Sequence, residues 1–190
     1  MSARQRLIDS TIALVRRRGV SSASISEILA HSGLARRTLY LNFPDGKPEL
    51  LAEATQTAAA AFTSQLEGLL AKRDPMKTVK AFTRAWEAVL ADSDYDAGCP
   101  IVAAALARSE APAAADAAAA AFAQWVRVIS GLNRAAGLSR REAEDLATTV
   151  VAAIEGAVIM SIAARSPNPL QRAGRGLTTL IEAELAAASG

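Results

Sequence analysis

The chain has 190 residues, 51% hydrophobic and 21% charged, with 21 Lys and Arg against 19 Asp and Glu and a formal net charge of +2. This hydrophobic fraction excludes a disordered chain, and one Cys with one His excludes a disulfide scaffold and most metal sites. Aromatic residues make up only 4% and Ala is frequent, so the composition predicts an all-α protein.

The first two predicted helices differ in length. Apolar residues at helical spacing predict a long helix over 3–18, with Gly19 as its C-terminal stop. Ser24 and Glu27 are spaced as a capping box, in which each side chain bonds the other residue's backbone N–H. A short second helix therefore starts near Ser24 and ends at the turn 31–33.

The third predicted helix completes a known arrangement. It covers 35–42 and ends at 43–46, where Pro and Gly forbid continuation. Two short helices joined by a Gly-containing turn, after a longer supporting helix, form the helix-turn-helix pattern, whose second short helix reads DNA.

Charge is unevenly distributed along the chain. Residues 1–47 carry eight basic and three acidic side chains, so they have a net charge of +5 and the remainder has −3. A basic head on an acidic body indicates that the head binds a polyanion, although a solvated charged surface would have the same composition.

The predicted DNA contacts lie on the outer face of the third helix. Arg can pair with guanine there and Asn with adenine, whereas Thr38, Tyr40 and Lys47 suit phosphates. The residues selected in this way are Ala35, Arg36, Arg37, Thr38, Tyr40, Leu41, Asn42 and Lys47.

A series of motifs over 24–47 follows a characteristic order. Regular hydrophobic spacing is combined with Gly33, Thr-Leu-Tyr at 38–40, Phe43 and Lys47. This order resembles the N-terminal domain of TetR-family transcriptional regulators. The resemblance implies a homodimer whose paired heads occupy successive major grooves of a near-palindromic operator.

The resemblance also assigns roles by position. It places Ser24 and 35–42 against the groove, with Lys47 at a phosphate near a helix N-terminus. Arg37 and the pair 41–42 depart from residues frequent in the family, so we expect a different operator preference.

We predict two domains, a helix-turn-helix domain over 1–47 and a helical effector-binding and dimerisation domain over 48–190. The total is about nine helices. The helices of the second domain are predicted over 48–70, 76–91, 101–108, 112–137, 139–164 and 169–188.

Large apolar side chains are concentrated in the middle of this second domain. They form either a pocket for a hydrophobic ligand or a purely structural core. The pocket candidates are Phe82, Trp86, Cys99, Phe122 and Trp125. Cys99 is either a redox switch or an inert small hydrophobe, and a lone thiol in an apolar stretch favours the second role.

The last two predicted helices carry apolar stripes rich in small residues. Such stripes suit either intramolecular packing or a four-helix bundle across a two-fold axis, and the family resemblance favours the dimer. The predicted interface residues are Leu146, Val150, Ile154, Ala157, Val158, Ser161, Leu177, Leu180 and Ile181.

Segment 98–101, together with the turn 43–47, also resembles the LmrA-like branch of the family, which is named for repressors of drug-efflux genes. That resemblance implies an apolar or aromatic effector, such as an antibiotic or a plant-type phenolic, and control of an exporter or a detoxifying enzyme. The predicted partners are operator DNA, the effector and a second copy of the chain, with no metal or cofactor.

The leading hypothesis is thus a ligand-responsive DNA-binding repressor. A helical adaptor and a helical enzyme, both without DNA binding, are the alternatives, and the enzyme has little support because no acid-base pair stands at a suitable spacing. No uninterrupted apolar run reaches the roughly 18 residues of a membrane span, so we expect a cytoplasmic protein without a membrane partner.

Overall fold

The computed structural model describes residues 1–71 and 74–188, and these residues form helices without a strand, which confirms the all-α prediction. The helices of the described ranges are α1 (Ala3–Ser22), α2 (Ile25–Ser32), α3 (Arg36–Asn42), α4 (Lys47–Leu70), α5 (Pro75–Asp92), α6 (Pro100–Leu106), α7 (Pro112–Ala135), α8 (Arg140–Ala164) and α9 (Asn168–Ala188).

The chain divides into two compact units. The first unit is Met1–Ala61 with Ala97–Ala121, and the second is Phe62–Asp96 with Phe122–Gly190. The domain boundary predicted at 47/48 lies one residue after the start of α4, whereas the first unit continues to Ala61 and includes α6.

The first unit is built on α1. Helices α2, α3 and α6 all pack against α1. Four fully buried side chains, Leu7, Ile28, Leu39 and Phe43, form the centre of this packing. Burial of large apolar side chains on every helix fixes the position of the short helix α3, which is too short to be stable alone.

Two details of α1 and α2 differ from prediction. Gly19 has left-handed φ (75°), as expected for a stop, but helical structure resumes after it and α1 ends at Ser22. Ser24 caps α2 by accepting from Glu27 N at 3.2 Å, which is half of the predicted capping box. The second half does not form, since Ser24 N donates to Ser22 O at 3.0 Å and the Glu27 carboxylate accepts from Arg18 Nη1 at 3.1 Å.

The second unit contains the packed helices α5, α8 and α9. Helix α5 begins behind an N-cap, Asp74, whose pKa is lowered because its carboxylate accepts from Lys77 N at 3.0 Å. Helix α8 begins at a capping box in which both bonds between Ser139 and Glu142 form. Ile154 of α8 and Ile181 of α9 are nearly inaccessible in this core.

By length and composition alone, helix α8 is long and apolar enough to cross a membrane. Of its most apolar stretch, 44% is buried inside the protein. The hydropathy of α8 follows from its packing against α5 and α9, since a core helix passes the same test.

Candidate nucleic-acid interface and ligand cavity

Helix α3 exposes most of the side chains predicted to meet DNA. Leu39 on its inner face is completely buried, and this anchor turns the opposite face outwards. Leu41 is 71% exposed, the highest value on the helix among the large apolar residues. The exposed residues of the predicted set are Ser24, Ala35, Arg36, Arg37, Tyr40 and Leu41, while Thr38, Asn42 and Lys47 are half-buried.

Arg36 and Arg37 differ from the other basic residues of the head. No hydrogen bond or ion pair to either guanidinium occurs within the described ranges, so both retain all their donors for a ligand. Arg6 Nη2 donates to Ser32 O at 2.5 Å, and Lys47 Nζ donates to Val20 O at 3.3 Å. Much of the basic charge counted in the sequence therefore stabilises the head itself.

Three of the predicted contacts have a partner inside the protein. Asn42 Nδ2 donates to Thr38 O at 2.8 Å, and Ser24 Oγ accepts from Glu27 N. Lys47 is bound to Val20 O. Each of these groups can still bond to DNA, because the Ser24 hydroxyl keeps its donor, Asn42 keeps a second N–H and its Oδ1, and Lys47 keeps two further N–H donors.

Arg4 is a residue of this region that sequence reasoning assigned only to the general basic charge. Its guanidinium lies 4.4 Å from the centroid of the Phe43 ring, forms a two-point ion pair with Glu53 and donates to Asn42 O at the end of α3. The contact pattern fixes the C-terminal end of α3. No local sequence signal marks it, because its partners lie far along the chain.

A second arginine joins α1 to the segment before α6. Arg16 Nε donates to Gly98 O at 3.0 Å, and Gly98 N donates to Arg16 O at 2.9 Å. Burial is the main cause of the lowered pKa of Arg16.

The second unit contains a small apolar cavity of about 40 Å³. Both tryptophans of the chain line it. Its lining residues are Phe62, Leu66, Pro75, Thr78, Val79, Phe82, Trp86, Trp125, Ile129, Leu132, Asn133, Val150, Val151, Ile154, Glu155 and Ile181.

The five predicted pocket residues have different positions. Phe82, Trp86 and Trp125 line the cavity. Phe122 is not in the lining but packs edge-to-face on Trp125, with 5.3 Å between ring centroids. Cys99 is buried in the first unit, where it precedes α6, and all the lining residues belong to the second unit.

Sequence reasoning missed three cavity residues of chemical interest. Phe62 stacks on Trp86 with 5.6 Å between ring centroids. Asn133 and Glu155 are buried in the lining. A signal for Glu155 was present, because an acidic residue next to Ile154 in an apolar stretch is unusual.

The two indole groups of the cavity are in different environments. Trp125 Nε1 donates to Thr63 Oγ1 at 3.0 Å. Trp86 is 2% exposed, and its buried Nε1 has no hydrogen-bond partner among the residues that the structure describes.

The residues predicted to form the dimer interface lie inside the second unit. Eight of the nine are buried within the single chain, and Leu180 is half-buried. Val150, Ile154 and Ile181 line the cavity. The apolar side chains that α8 leaves open are instead Ile159, 52% exposed, and Met160, 61% exposed. The helical spacing of these apolar residues places them on one face of α8 and of α9, but the spacing does not specify which neighbouring helix covers that face.

Within the described residues no group of three or more His, Cys, Asp or Glu side chains is placed to hold a metal ion.

Family models match both ends of the chain. Residues 7–54 match the bacterial regulatory proteins of the tetR family, and residues 75–176 match the C-terminal domain of LmrA/YxaF-like transcriptional regulators. The chain belongs to the TetR family of transcriptional regulators. The first match covers the helix-turn-helix with its exposed arginines, and the second covers most of the helices around the cavity.

Relatives support the TetR assignment along the whole chain. HTH-type transcriptional regulator Rv0196 of Mycobacterium tuberculosis strain H37Rv is 33% identical, over 96% of this chain and 95% of the relative. HTH-type transcriptional regulator LmrA of Bacillus subtilis strain 168 is 25% identical, over 88% of this chain and 90% of the relative.

Solved TetR structures have the same fold. A regulatory protein TetR from Rhodobacter sphaeroides superposes with a TM-score of 0.85 at 23% identity, over 93% of this chain and 97% of that one. A TetR transcriptional regulator from Chloroflexus aurantiacus gives 0.77 at 25% identity, over 95% and 94%.

Proposed function

We propose that this TetR-family regulator is a cytoplasmic homodimeric repressor that binds a near-palindromic operator and is released by a small apolar or aromatic effector. The cavity in the second unit carries the ligand part of the proposal, because it is apolar and lined by four aromatic side chains.

The DNA part of the proposal gives the reading role to Arg36 and Arg37. Both guanidinium groups are exposed at the start of α3. An arginine in the major groove can donate two hydrogen bonds to guanine, and one at a phosphate supplies charge without sequence preference. Release by effector then requires that the ligand binds more tightly to the conformation with low DNA affinity.

The DNA part is tested by titrating the protein against the intergenic DNA upstream of its own gene, with competitor DNA and at two salt concentrations. We expect a discrete complex that resists competitor. The double variant Arg36→Ala with Arg37→Ala should lower the affinity for this DNA about tenfold or more for each arginine that contacts a base. If the arginines contact phosphates, the affinity of the variant should also depend less on salt concentration.

A matched control removes the same charge elsewhere. Arg140 and Arg141 are adjacent and exposed at the start of α8, with ion pairs to Glu144 and Asp145. Arg140→Ala with Arg141→Ala should leave specific binding unchanged. Equal loss in both double variants would show that only net charge matters and would contradict base reading by α3. Absence of any discrete complex, also after selection from random DNA, would contradict the operator-binding role.

The ligand part is tested by filling the cavity. Val151 is half-buried in the lining, so Val151→Phe adds volume where an effector would lie. We expect this variant to bind operator DNA normally and to lose release by compounds that release the wild-type protein. Normal release from the variant would contradict the assignment of the cavity as the effector site.

A further inference from the structure

Two side chains of α3 are turned furthest away from the core of the head. At about 100° per residue, Arg37 and Leu41 each lie about 160° around the helix from Leu39, which is completely buried. They are four residues apart and are therefore neighbours on one helix face, with roughly 5–6 Å between their Cβ atoms. Any molecule that meets this face of α3 meets an arginine and a leucine side by side.

The apolar surface of α3 is concentrated at two adjacent positions. Leu41 is 71% exposed and Tyr40 is 43% exposed, although α3 has only 7 residues. Single exposed leucines are ordinary on protein surfaces, whereas adjacent large apolar groups form a patch of the kind found at interaction sites.

The two side chains of this patch are held differently. The ring of Tyr40 packs against the turn before α4, since a Cβ added to Gly46 would lie 3.2 Å from Tyr40 Cε1. Leu41 projects further from the protein, as its higher exposure shows. Leu41 is therefore the apolar group that an approaching surface would meet first.

The major groove of DNA offers a leucine little choice of contact. Base edges there present hydrogen-bond donors and acceptors, and the one apolar group among them is the C5-methyl of thymine. Leu41 cannot form hydrogen bonds, so against any other base edge it would remove water from polar groups without satisfying them. Arg37 forms no hydrogen bond or ion pair within the described ranges and suits O6 and N7 of guanine.

We propose that Leu41 selects thymine in the operator by packing on its C5-methyl group, close to the base that Arg37 contacts. The inference rests on the proposed function, since it assigns a second base-reading residue for the same DNA. Four residues of helix rise by about 6 Å and base pairs are about 3.4 Å apart. The thymine and the guanine should therefore lie within about two base pairs of each other in each half-site.

The experiment removes the methyl group from the DNA. Deoxyuridine pairs with adenine as thymidine does and lacks only the C5-methyl. The probes are duplexes of the operator, found upstream of the gene or selected from random DNA, in which each thymidine is replaced in turn in both half-sites. Wild type and Leu41→Ala are titrated with all of them. Leu106→Ala is the matched control, because Leu106 is 81% exposed on α6.

We expect one position at which deoxyuridine weakens binding of the wild-type protein by about fourfold per half-site, the effect of one buried methyl group. Leu41→Ala should bind the thymidine and deoxyuridine duplexes of this position with equal affinity. Leu106→Ala should respond as the wild type does. Loss of the effect in Leu41→Ala alone couples this methyl group to this side chain.

A second variant changes the preference instead of removing it. A glutamine amide can pair with N6 and N7 of adenine, so Leu41→Gln should select adenine at the same position from random DNA. Leu41 is exposed, so neither substitution removes a core contact, and thermal unfolding checks that each variant is folded. If Leu41→Ala does not fold, the selection with Leu41→Gln decides the question.

Three results would overturn the inference. In the first, no deoxyuridine substitution weakens binding of the wild-type protein. In the second, every methyl group that matters to the wild type matters equally to Leu41→Ala. In the third, Leu41→Gln still selects thymine at the position found with the wild type.

Failure of the inference is distinguishable from failure of the proposed function. If deoxyuridine has no effect at any position while the double substitution of Arg36 and Arg37 abolishes the complex, operator binding by α3 stands and the thymine contact is wrong. If no duplex gives a discrete complex, also after selection from random DNA, both are wrong.

Discussion

Arg4 holds the C-terminal end of α3 with a planar group that lysine lacks. The guanidinium stacks on Phe43, pairs with both carboxylate oxygens of Glu53 and reaches the carbonyl of Asn42. An ammonium group is a point donor and cannot make these contacts together. We therefore consider Arg4 a positioning residue for α3 rather than a contact to DNA.

We predict that Arg4→Lys lowers the free energy of unfolding by about 1–2 kcal/mol, although the formal charge is kept. DNA affinity should fall as well, because the end of α3 loses its support. Urea unfolding and a DNA titration measure the two effects.

The control for Arg4 is an arginine whose ion pair is fully on the surface. Arg108 pairs with Asp116 at 2.9 Å, and both side chains are more than half exposed. Arg108→Lys should change stability by less than about 0.5 kcal/mol. Similar losses of unfolding free energy in the two variants would show that the contacts of Arg4 stabilise the protein no more than a surface ion pair does.

At the scale of elements, the turn between α2 and α3 depends on one left-handed residue. Gly33 has a φ of 65° and caps α2, with its N–H bound to Leu29 O. A Cβ at this position would lie 3.3 Å from Arg6 Nη2. Left-handed backbone is strained for residues with a Cβ, so the angle between the two helices depends on glycine here.

We predict that Gly33→Ala destabilises the protein by about 1 kcal/mol or more and weakens DNA binding. Gly68 is the matched control, because it lies inside α4, has ordinary helical φ and an added Cβ meets nothing within 4 Å. Gly68→Ala should stabilise by about 0.5–1 kcal/mol. The same sign of change in both variants, measured by urea unfolding, would contradict the argument.

At the scale of the whole molecule, the proposed homodimer needs a surface that the single chain leaves open. Ile159 and Met160 are adjacent on α8 and more than half exposed. Apolar side chains of this size at one place on a surface are frequent at protein interfaces. They replace the buried stripe of α8 and α9 as the expected contact residues.

We predict that Ile159→Glu with Met160→Glu shifts the protein towards monomer in sedimentation velocity, because four carboxylates would meet across a two-fold axis. Leu106 on α6 is the control, since it is 81% exposed and belongs to the first unit. Leu106→Glu should leave self-association unchanged. A double variant that remains dimeric would place the interface elsewhere.

The sequence by itself determined the helices and the nature of the DNA-reading head. Helical spacing, Pro and Gly at the ends and Ser caps place most helix ends within one or two residues of those observed, because these signals are local. The family motif of residues 24–47 is local too, since its order lies within consecutive residues.

Only the tertiary structure decided which basic side chains bond within the head and which stay exposed, and which apolar side chains are buried. Arg4, Arg6 and Lys47 look the same as Arg36 and Arg37 in a charge count, yet the first three bond within the head. The stripe of α8 and α9 lines a cavity and a core instead of an open face. Such outcomes depend on partners distant in the chain, and no local pattern of residues specifies a distant partner.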